Sequence, residues 1–387
     1  MRIAVAKEVR EGERRVALVP DIAAQLVNAG HDVWLQSGAG LKASFPDAAY
    51  AEAGVTIITD CAWLWHETDI LLKVGVPIER CDHHEVERLR PGAVLIGFLN
   101  PMGNLAMVQQ LASGQVTALS MEWIPRLSRA QSMDALSSQA TVMGYKGALL
   151  AADALGKFLP MLTTAAGTVA PAKVLVIGAG VAGLMAIATA RRLGAVVEAF
   201  DIRPAVREEV QSLGASFVGV ELEEETAAEG GYAKDVSAAS RQREQEVLHE
   251  HIQRADIVIT TAQVPGKRAP LLVSEDMVAA MQPGSVIVDL AAEQGGNCAG
   301  TEPGKTIVQH GVTILGPCHL PSMMPAPASQ MYAKNIMALL RHLMPDGELN
   351  LDFEDDITHG ACVTHAGEIR HEPLRHALMA NAEEVSR

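Results

Sequence analysis

The sequence predicts an α/β chain of two doubly wound domains with parallel sheets, the second carrying a glycine fingerprint. Three observations carry that prediction. Short, β-branched apolar runs alternate with helix-length segments along most of the chain. Hydrophobic residues make up 49% of the sequence, with 33 glycines and few aromatics, which suits a core of Val, Ile, Leu and Ala. Within residues 173–201, a strand, a G-x-G-x-x-G turn, a helix, a second strand and a terminal acid follow one another. A chain of 387 residues is long enough for two such domains, expected at 1–137 plus 322–387 and at 138–321.

The first domain opens with an apolar strand at 3–6 and a charged loop at 7–15. Pro20 and Asp21 start a helix that Gly30 terminates. Strands follow at 33–36, 55–59, 70–74, 94–98 and 116–120, separated by helical segments such as 104–113. Residues 122–139, EWIPRLSRAQSMDALSSQ, break this rhythm at Pro125. They gather Arg126, Arg129, Gln131, Asp134, Ser137 and Ser138, side chains able to contact a nucleotide or substrate; composition alone reads equally as a solvated linker ending in helix-capping serines. An Ala- and Leu-rich connecting helix is expected at 139–158.

The second domain is built on KVLVIGAGVAGLMAIATARRLGAVVEAFD. Gly178 permits the tight turn, Gly180 lets backbone approach a pyrophosphate, and Gly183 lets helix and strand pack closely. The helix that begins at Val181 offers unpaired N–H groups and partial positive charge to phosphates. Asp201 ends the second strand, where a carboxylate can accept hydrogen bonds from a ribose diol. That carboxylate disfavours the 2′-phosphate of NADP by on the order of tenfold or more, since a hydrogen bond to a charged group is worth ~1.5–3 kcal/mol. Arg203 softens the preference, but NAD(H) is the expected cofactor. The fold is therefore Rossmann-like.

A helix at 205–213 and a strand at 217–220 come next. Residues 221–243 are acidic at first, contain Gly230-Gly231 and Tyr232, and predict an exposed, mobile loop. Strands at 256–261, 285–290 and 312–315 follow, with helices at 245–254 and 274–281. Two of these strands lead into AQVPGK and AAEQGGN, and loops at the carboxyl ends of strands are where such sheets bind ligands. After the proline-rich GPCHLPSMMPAPAS, a helix at 329–343 returns to the first domain. The tail reads as a small hairpin around Ala366-Gly367.

A net charge of −15 argues against nucleic acid or anionic lipid as a partner. Five scattered cysteines with no C-x-x-C fit a reducing compartment. The charged N-terminus is unlike a signal peptide, and no stretch is apolar and long enough for direct membrane insertion. The chain is expected to be cytoplasmic. Among the thirteen histidines, His249 and His251 point to different helix faces and His83-His84 are no better placed. No metal is expected.

AVAKEVREGERRVALVP, RLSRAQSMDALSSQA, AEGGYAKDVS, TTAQVPGKRAP, PGSVIVDLAAEQGGN and TEPGK, together with the fingerprint, resemble the NAD(H)-binding component of proton-translocating nicotinamide nucleotide transhydrogenase, a relative of alanine dehydrogenase. The likeness covers essentially the whole chain, and it favours a nucleotide role for 122–139 over a linker. It implies that Arg126, Gln131, Asp134 and Ser137 position the nicotinamide for catalysis, with Ser132 and Met133 also at the cofactor. It implies further cofactor contacts at Val181, Asp201, Arg203, Gly231, Tyr232 and Gln263, beside Gly178, Gly180 and Gly183. Partners implied are a second copy in a homodimer, a membrane-spanning subunit and an NADP(H)-binding domain. The chain would then be the separate first subunit, peripheral on the inner membrane through those partners.

Departures from the family pattern decide against alanine dehydrogenase. The histidine that does acid–base work there corresponds here to Phe98, which cannot. The catalytic aspartate corresponds to Glu293, while Arg15 and Lys73 persist as the substrate-binding pair. Direct hydride transfer between two nicotinamides needs no acid or base. An amino-acid dehydrogenase and a non-catalytic NAD(H)-binding regulator are the alternatives.

Overall fold

The computed structural model describes residues 1–80, 83–219, 238–263 and 268–385. It divides into two compact units, Met1–Gln139 with Pro321–Arg387, and Ala140–Leu320. The first unit contains β1 (Arg2–Val5), β2 (Asp32–Gln36), β3 (Thr56–Ile58), β4 (Ile70–Leu72), β5 (Glu79–Arg80), β6 (His83–His84), β7 (Val94–Gly97) and β8 (Thr117–Ser120). The second contains β9 (Leu162–Thr164), β10 (Gly167–Val169), β11 (Lys173–Ile177), β12 (Val196–Phe200), β13 (Ser216–Val218), β14 (Ile257–Thr260), β15 (Val286–Asp289), β16 (Thr306–Gln309) and β17 (Val312–Leu315). β18 (Cys362–His365) and β19 (Glu368–Ile369) complete the first unit.

The first sheet has eight strands in the order β19-β18-β8-β7-β4-β1-β2-β3. Its six expected strands are present and mutually parallel. Their apolar runs are uninterrupted because both faces are covered: Ile3 and Val5 enter one core cluster, Ala4 and Ala6 the other. The first helix, Pro20–Asn28, has Pro20 in its first turn and ends before Gly30 at φ +87°. The tail hairpin turns through Ala366 and Gly367 at φ +48° and +87°, and its first strand extends the sheet antiparallel to β8.

The second sheet has seven strands, β13-β12-β11-β14-β15-β17-β16. Parallel strands run out from β11 in both directions, so the order reverses between β11 and β14, where such sheets bind ligands. Val174 and Val176 pack on one face, Leu175 and Ile177 on the other.

Neither sheet is purely parallel: β16, β18 and β19 are antiparallel additions. β16 is not among the strands expected from the sequence, and its residues alternate between exposed and half-buried as at a sheet edge. His310 and Gly311, at φ +53° and +79°, make the turn into β17. The short β9–β10 hairpin is likewise unexpected. The helix Ala135–Ala154 begins earlier than expected, and Pro325–Leu343 starts within the proline-rich stretch, where Pro325 occupies the first turn. Of the loop expected at 221–243, residues through 237 lie outside the described residues; the remainder belongs to the helix Ala238–Ile252.

Candidate dinucleotide-binding site

In the second unit, the β11 strand ends at Gly178, whose φ is +97°. A Cβ there would lie 2.5 Å from Thr261 Oγ1, which donates to Gly178 O at 2.9 Å. Gly183 faces the same turn, and its Cβ would stand 1.8 Å from Gly178 O. Only glycine lets the helix Val181–Arg192 sit this close to the strand. Gly180 differs, for its Cβ would meet no protein atom within 4 Å. It heads the helix in extended backbone without a side-chain cap, and Val181 beside it is 41% exposed. Open space, uncapped N–H groups and helix dipole together fit a pyrophosphate.

Asp201 is buried at the end of β12 and fully engaged. Its Oδ2 accepts Ala179 N–H at 2.7 Å and Arg203 Nη2 at 2.8 Å; its Oδ1 accepts Arg203 N and Nε, each at 2.9 Å. The free carboxylate expected from the sequence is thus an Arg203 partner, with the acceptor positions of a carboxylate taken. Those bonds to Asp201 raise the Arg203 guanidinium above its ordinary value.

Gln263 donates to Leu290 O at 2.8 Å. Behind it stands a hub that sequence reasoning did not single out. Fully buried Asp289 accepts the backbone N–H groups of Ala291, Asn297 and Cys298 and the hydroxyls of Thr260 and Thr301, at 2.7–3.0 Å. Asn297 then accepts from Ala262 N and donates to Ala262 O and Pro270 O. The only sequence signal was an acid closing a buried strand ahead of a glycine pair. Gly231 and Tyr232 lie outside the described residues.

In the first unit, Arg126–Ser137 includes the 3₁₀ turn Ser128–Met133, with Arg126, Gln131 and Ser132 exposed. Asp134 folds over the start of the next helix, accepting Ser137 N at 2.9 Å and Ser137 Oγ at 2.6 Å. Met133, a cofactor residue by resemblance, buries its side chain in the core. Arg129 pairs with Asp355 and Asp356. Although burial pushes the Asp355 carboxyl up, Arg129 and the N–H groups of Ile357 and Thr358 hold it at about 2.

Arg15 and Lys73, expected as a substrate pair, are consumed internally. Arg15 forks onto Glu13 at 2.7 and 2.9 Å and donates to Gln139 Oε1 at 2.8 Å. Against burial, Arg15 and Ser322 hold the Glu13 carboxyl at about 2. Lys73 is buried 3.3 Å from Glu8 and 3.4 Å from Glu85. Burial would lower its ammonium, but the two carboxylates outweigh that and raise it. Phe98 packs on Tyr332 at 5.2 Å between ring centroids, and Tyr332 donates to Lys73 O at 2.8 Å. Glu293 lies in the second unit, 3.6 Å from His319 Nδ1. Among the described residues, no group of His, Cys, Asp or Glu could hold a metal.

Family models for alanine dehydrogenase/PNT match this chain twice, the N-terminal domain at residues 4–143 and the C-terminal domain at 147–372. The chain belongs to the alanine dehydrogenase/PNT family. Within that family it is 48% identical over 387 residues to the NAD(P) transhydrogenase subunit alpha of Cereibacter sphaeroides, covering 99% of this chain and 73% of that one. It is 46% identical over 381 residues to the first piece of the divided NAD(P) transhydrogenase subunit alpha of Rhodospirillum rubrum, covering 97% and 99%. The crystal structure of transhydrogenase from Sinorhizobium meliloti matches with a TM-score of 0.85 at 42% identity, covering 95% of this chain and 100% of that one. Alanine dehydrogenase of Mycobacterium tuberculosis is more distant, at 30% identity over 354 residues, 90% of this chain and 88% of that one.

Proposed function

We propose that this chain is the NAD(H)-binding subunit of a proton-translocating NAD(P) transhydrogenase, an oxidoreductase that exchanges hydride with NADP(H) held on a partner domain. One observation carries the choice over an amino-acid dehydrogenase: Lys73 and Arg15 are locked in buried ion pairs, and Phe98 stands where an acid–base group would be needed. Bound NADH supplies the hydride. The chain's residues then have only to bind, orient and exclude water. Gly178, Gly180, Gly183 and Val181 receive the pyrophosphate. Asp201 takes the adenosine ribose once the Arg203 guanidinium withdraws, and Gln263 with Gly231 and Tyr232 adds further contacts. Arg126, Gln131, Asp134 and Ser137 orient the nicotinamide, and Ser132 contributes backbone beside them.

Two assays test the reading. Mixed with an NADP(H)-binding transhydrogenase domain, the chain is expected to transfer hydride. Oxidation of NADH by pyruvate plus ammonia would instead make it an amino-acid dehydrogenase, while NADH binding without any transfer would make it a regulator. Tyr232→Ala is expected to weaken NADH binding by about 1 kcal/mol, read by fluorescence titration; an unchanged Kd would remove Tyr232 from the site.

The remaining partners belong to the same proposal: a second copy of this chain, and a membrane-spanning subunit that holds it at the inner membrane. No helix among the described residues is long and apolar enough to cross a membrane. The β9–β10 region presents Phe158 and Met161, 58% and 64% exposed, as the homodimer seam. Sedimentation is expected to give twice the 41.1 kDa chain mass at micromolar concentration, and Phe158→Glu with Met161→Glu to halve it. A wild-type monomer would exclude the dimer.

A further inference from the structure

Asn335 lies on the helix Pro325–Leu343 and is 7% exposed. Its amide joins two points of the segment that carries Asp134 and Ser137. Nδ2 donates to Ser132 O at 2.8 Å, and Oδ1 accepts from Ser138 Oγ at 2.7 Å. The amide cannot be reversed, because the Ser132 carbonyl is only an acceptor. Asn335 therefore closes a bridge across residues 132–138 from a helix some two hundred positions away in sequence.

What the bridge controls follows from its surroundings. The Ser128–Met133 turn is 3₁₀, whose internal hydrogen bonds have poorer geometry than those of an α-helix. Ala130 and Met133 anchor it in the core, and Arg129 ties it to Asp355. Those anchors hold the turn in place without fixing the residues after it. Asp134 leaves helical geometry, at φ −69° and ψ 85°, and the next helix begins at Ala135. On either side of that break, the two contacts of Asn335 fix the register of Gln131 relative to Asp134 and Ser137.

We propose that Asn335 is a positioning residue for hydride transfer: it sets the relative placement of Gln131, Asp134 and Ser137 without touching the dinucleotide. The inference rests on the transhydrogenase reading above. A displacement of ~1 Å in such a constellation costs up to about a hundredfold in rate, whereas binding of the adenosine half, carried by the second unit, is unaffected.

The test is Asn335→Asp followed across pH 5–9, with single-turnover hydride transfer to an NADP⁺-loaded transhydrogenase domain and NADH Kd measured in parallel. A neutral carboxylic acid nearly reproduces the amide, its O–H donating to Ser132 O and its carbonyl accepting from Ser138 Oγ. The ionised form sets a carboxylate against the Ser132 carbonyl and has no donor to offer. Burial raises the pKa of this carboxyl above the usual value of ~4. The variant's rate is therefore expected near wild type at the acid end and about tenfold or more lower above that pKa, with Kd changed less than about threefold. The charged groups on the helix, the loop and the segments packed against them, Lys334, Arg129, Asp134, Asp21 and Lys42, are common to both proteins. A step seen in the variant alone thus belongs to residue 335.

Asn335→Ala removes both contacts and is expected to be slow at every pH, with NADH affinity retained. Rates equal to wild type in both variants overturn the proposal. So does a rate loss matched by parallel losses of NADH affinity and unfolding midpoint, which is the pattern of a purely structural residue. Failure of wild type itself to transfer hydride would overturn the parent reading, and this inference with it; the wild-type trace distinguishes that case.

Discussion

Gly183→Ala is expected to abolish measurable NADH binding and to destabilise the second unit by at least ~1–3 kcal/mol. The added methyl would stand 1.8 Å from Gly178 O and 2.9 Å from Gly178 C, both backbone atoms of the tight turn. No rotamer relieves that clash. The helix must move off β11, carrying its uncapped N-terminus away from where the phosphates bind. Gly180→Ala is the matched control, since its methyl would meet no protein atom within 4 Å. That variant is expected to unfold like wild type and still lose NADH affinity, because the space it fills is the ligand's. Thermal unfolding and NADH titration on the pair separate packing from binding. Wild-type affinity in Gly180→Ala would refute the fingerprint as the pyrophosphate site.

Lys73→Met is expected to cost about 3–5 kcal/mol while leaving hydride transfer per folded molecule unchanged. The substitution nearly preserves volume but leaves Glu8 and Glu85, both buried, without their cation. Burial already raises the Glu8 carboxyl, and loss of Lys73 raises it further. A carboxyl whose folded pKa is raised favours the folded state while protonated. The deficit is therefore present above that folded pKa and shrinks as pH falls through it. Adding Glu8→Gln should recover part of the loss, as denaturant titrations of the single and double variants can check. Were Lys73 instead a substrate-binding cation, Lys73→Met would remove activity in fully folded protein.

What the sequence revealed and what it hid divide along a physical line. Periodicity reports which faces are apolar, so the parallel strands and the cap at Ser274, which accepts Met277 N–H at 3.3 Å, were legible. The fingerprint was legible because its chemistry is local: strand, turn, helix and acid are contiguous. Polar closures between distant residues leave no such trace. Glu8 reaches Val74 N at 2.7 Å, Arg15 reaches Gln139, and Asn335 reaches Ser132, all long-range contacts of single side chains. Asp201 shows the limit even within a motif. Its position at the strand end is plain from the sequence, but its bonding to Arg203, two residues on, depends on a backbone turn that spacing does not specify. The hairpin at β9–β10 was hidden for a different reason. It is short and exposed, lacking the hydrophobic alternation by which strands are recognised.

The central claim is direct hydride transfer between nicotinamides, positioned by this chain without acid–base help. It is tested most directly by single turnover with NADH deuterated at the transferable C4 position, mixed with an NADP⁺-loaded transhydrogenase domain in ordinary water. The account predicts NADPH that carries the deuterium, with none released to solvent, and a slowed transfer step. Label appearing in water, or NADH oxidation that requires pyruvate and ammonia in place of NADP⁺, would contradict it.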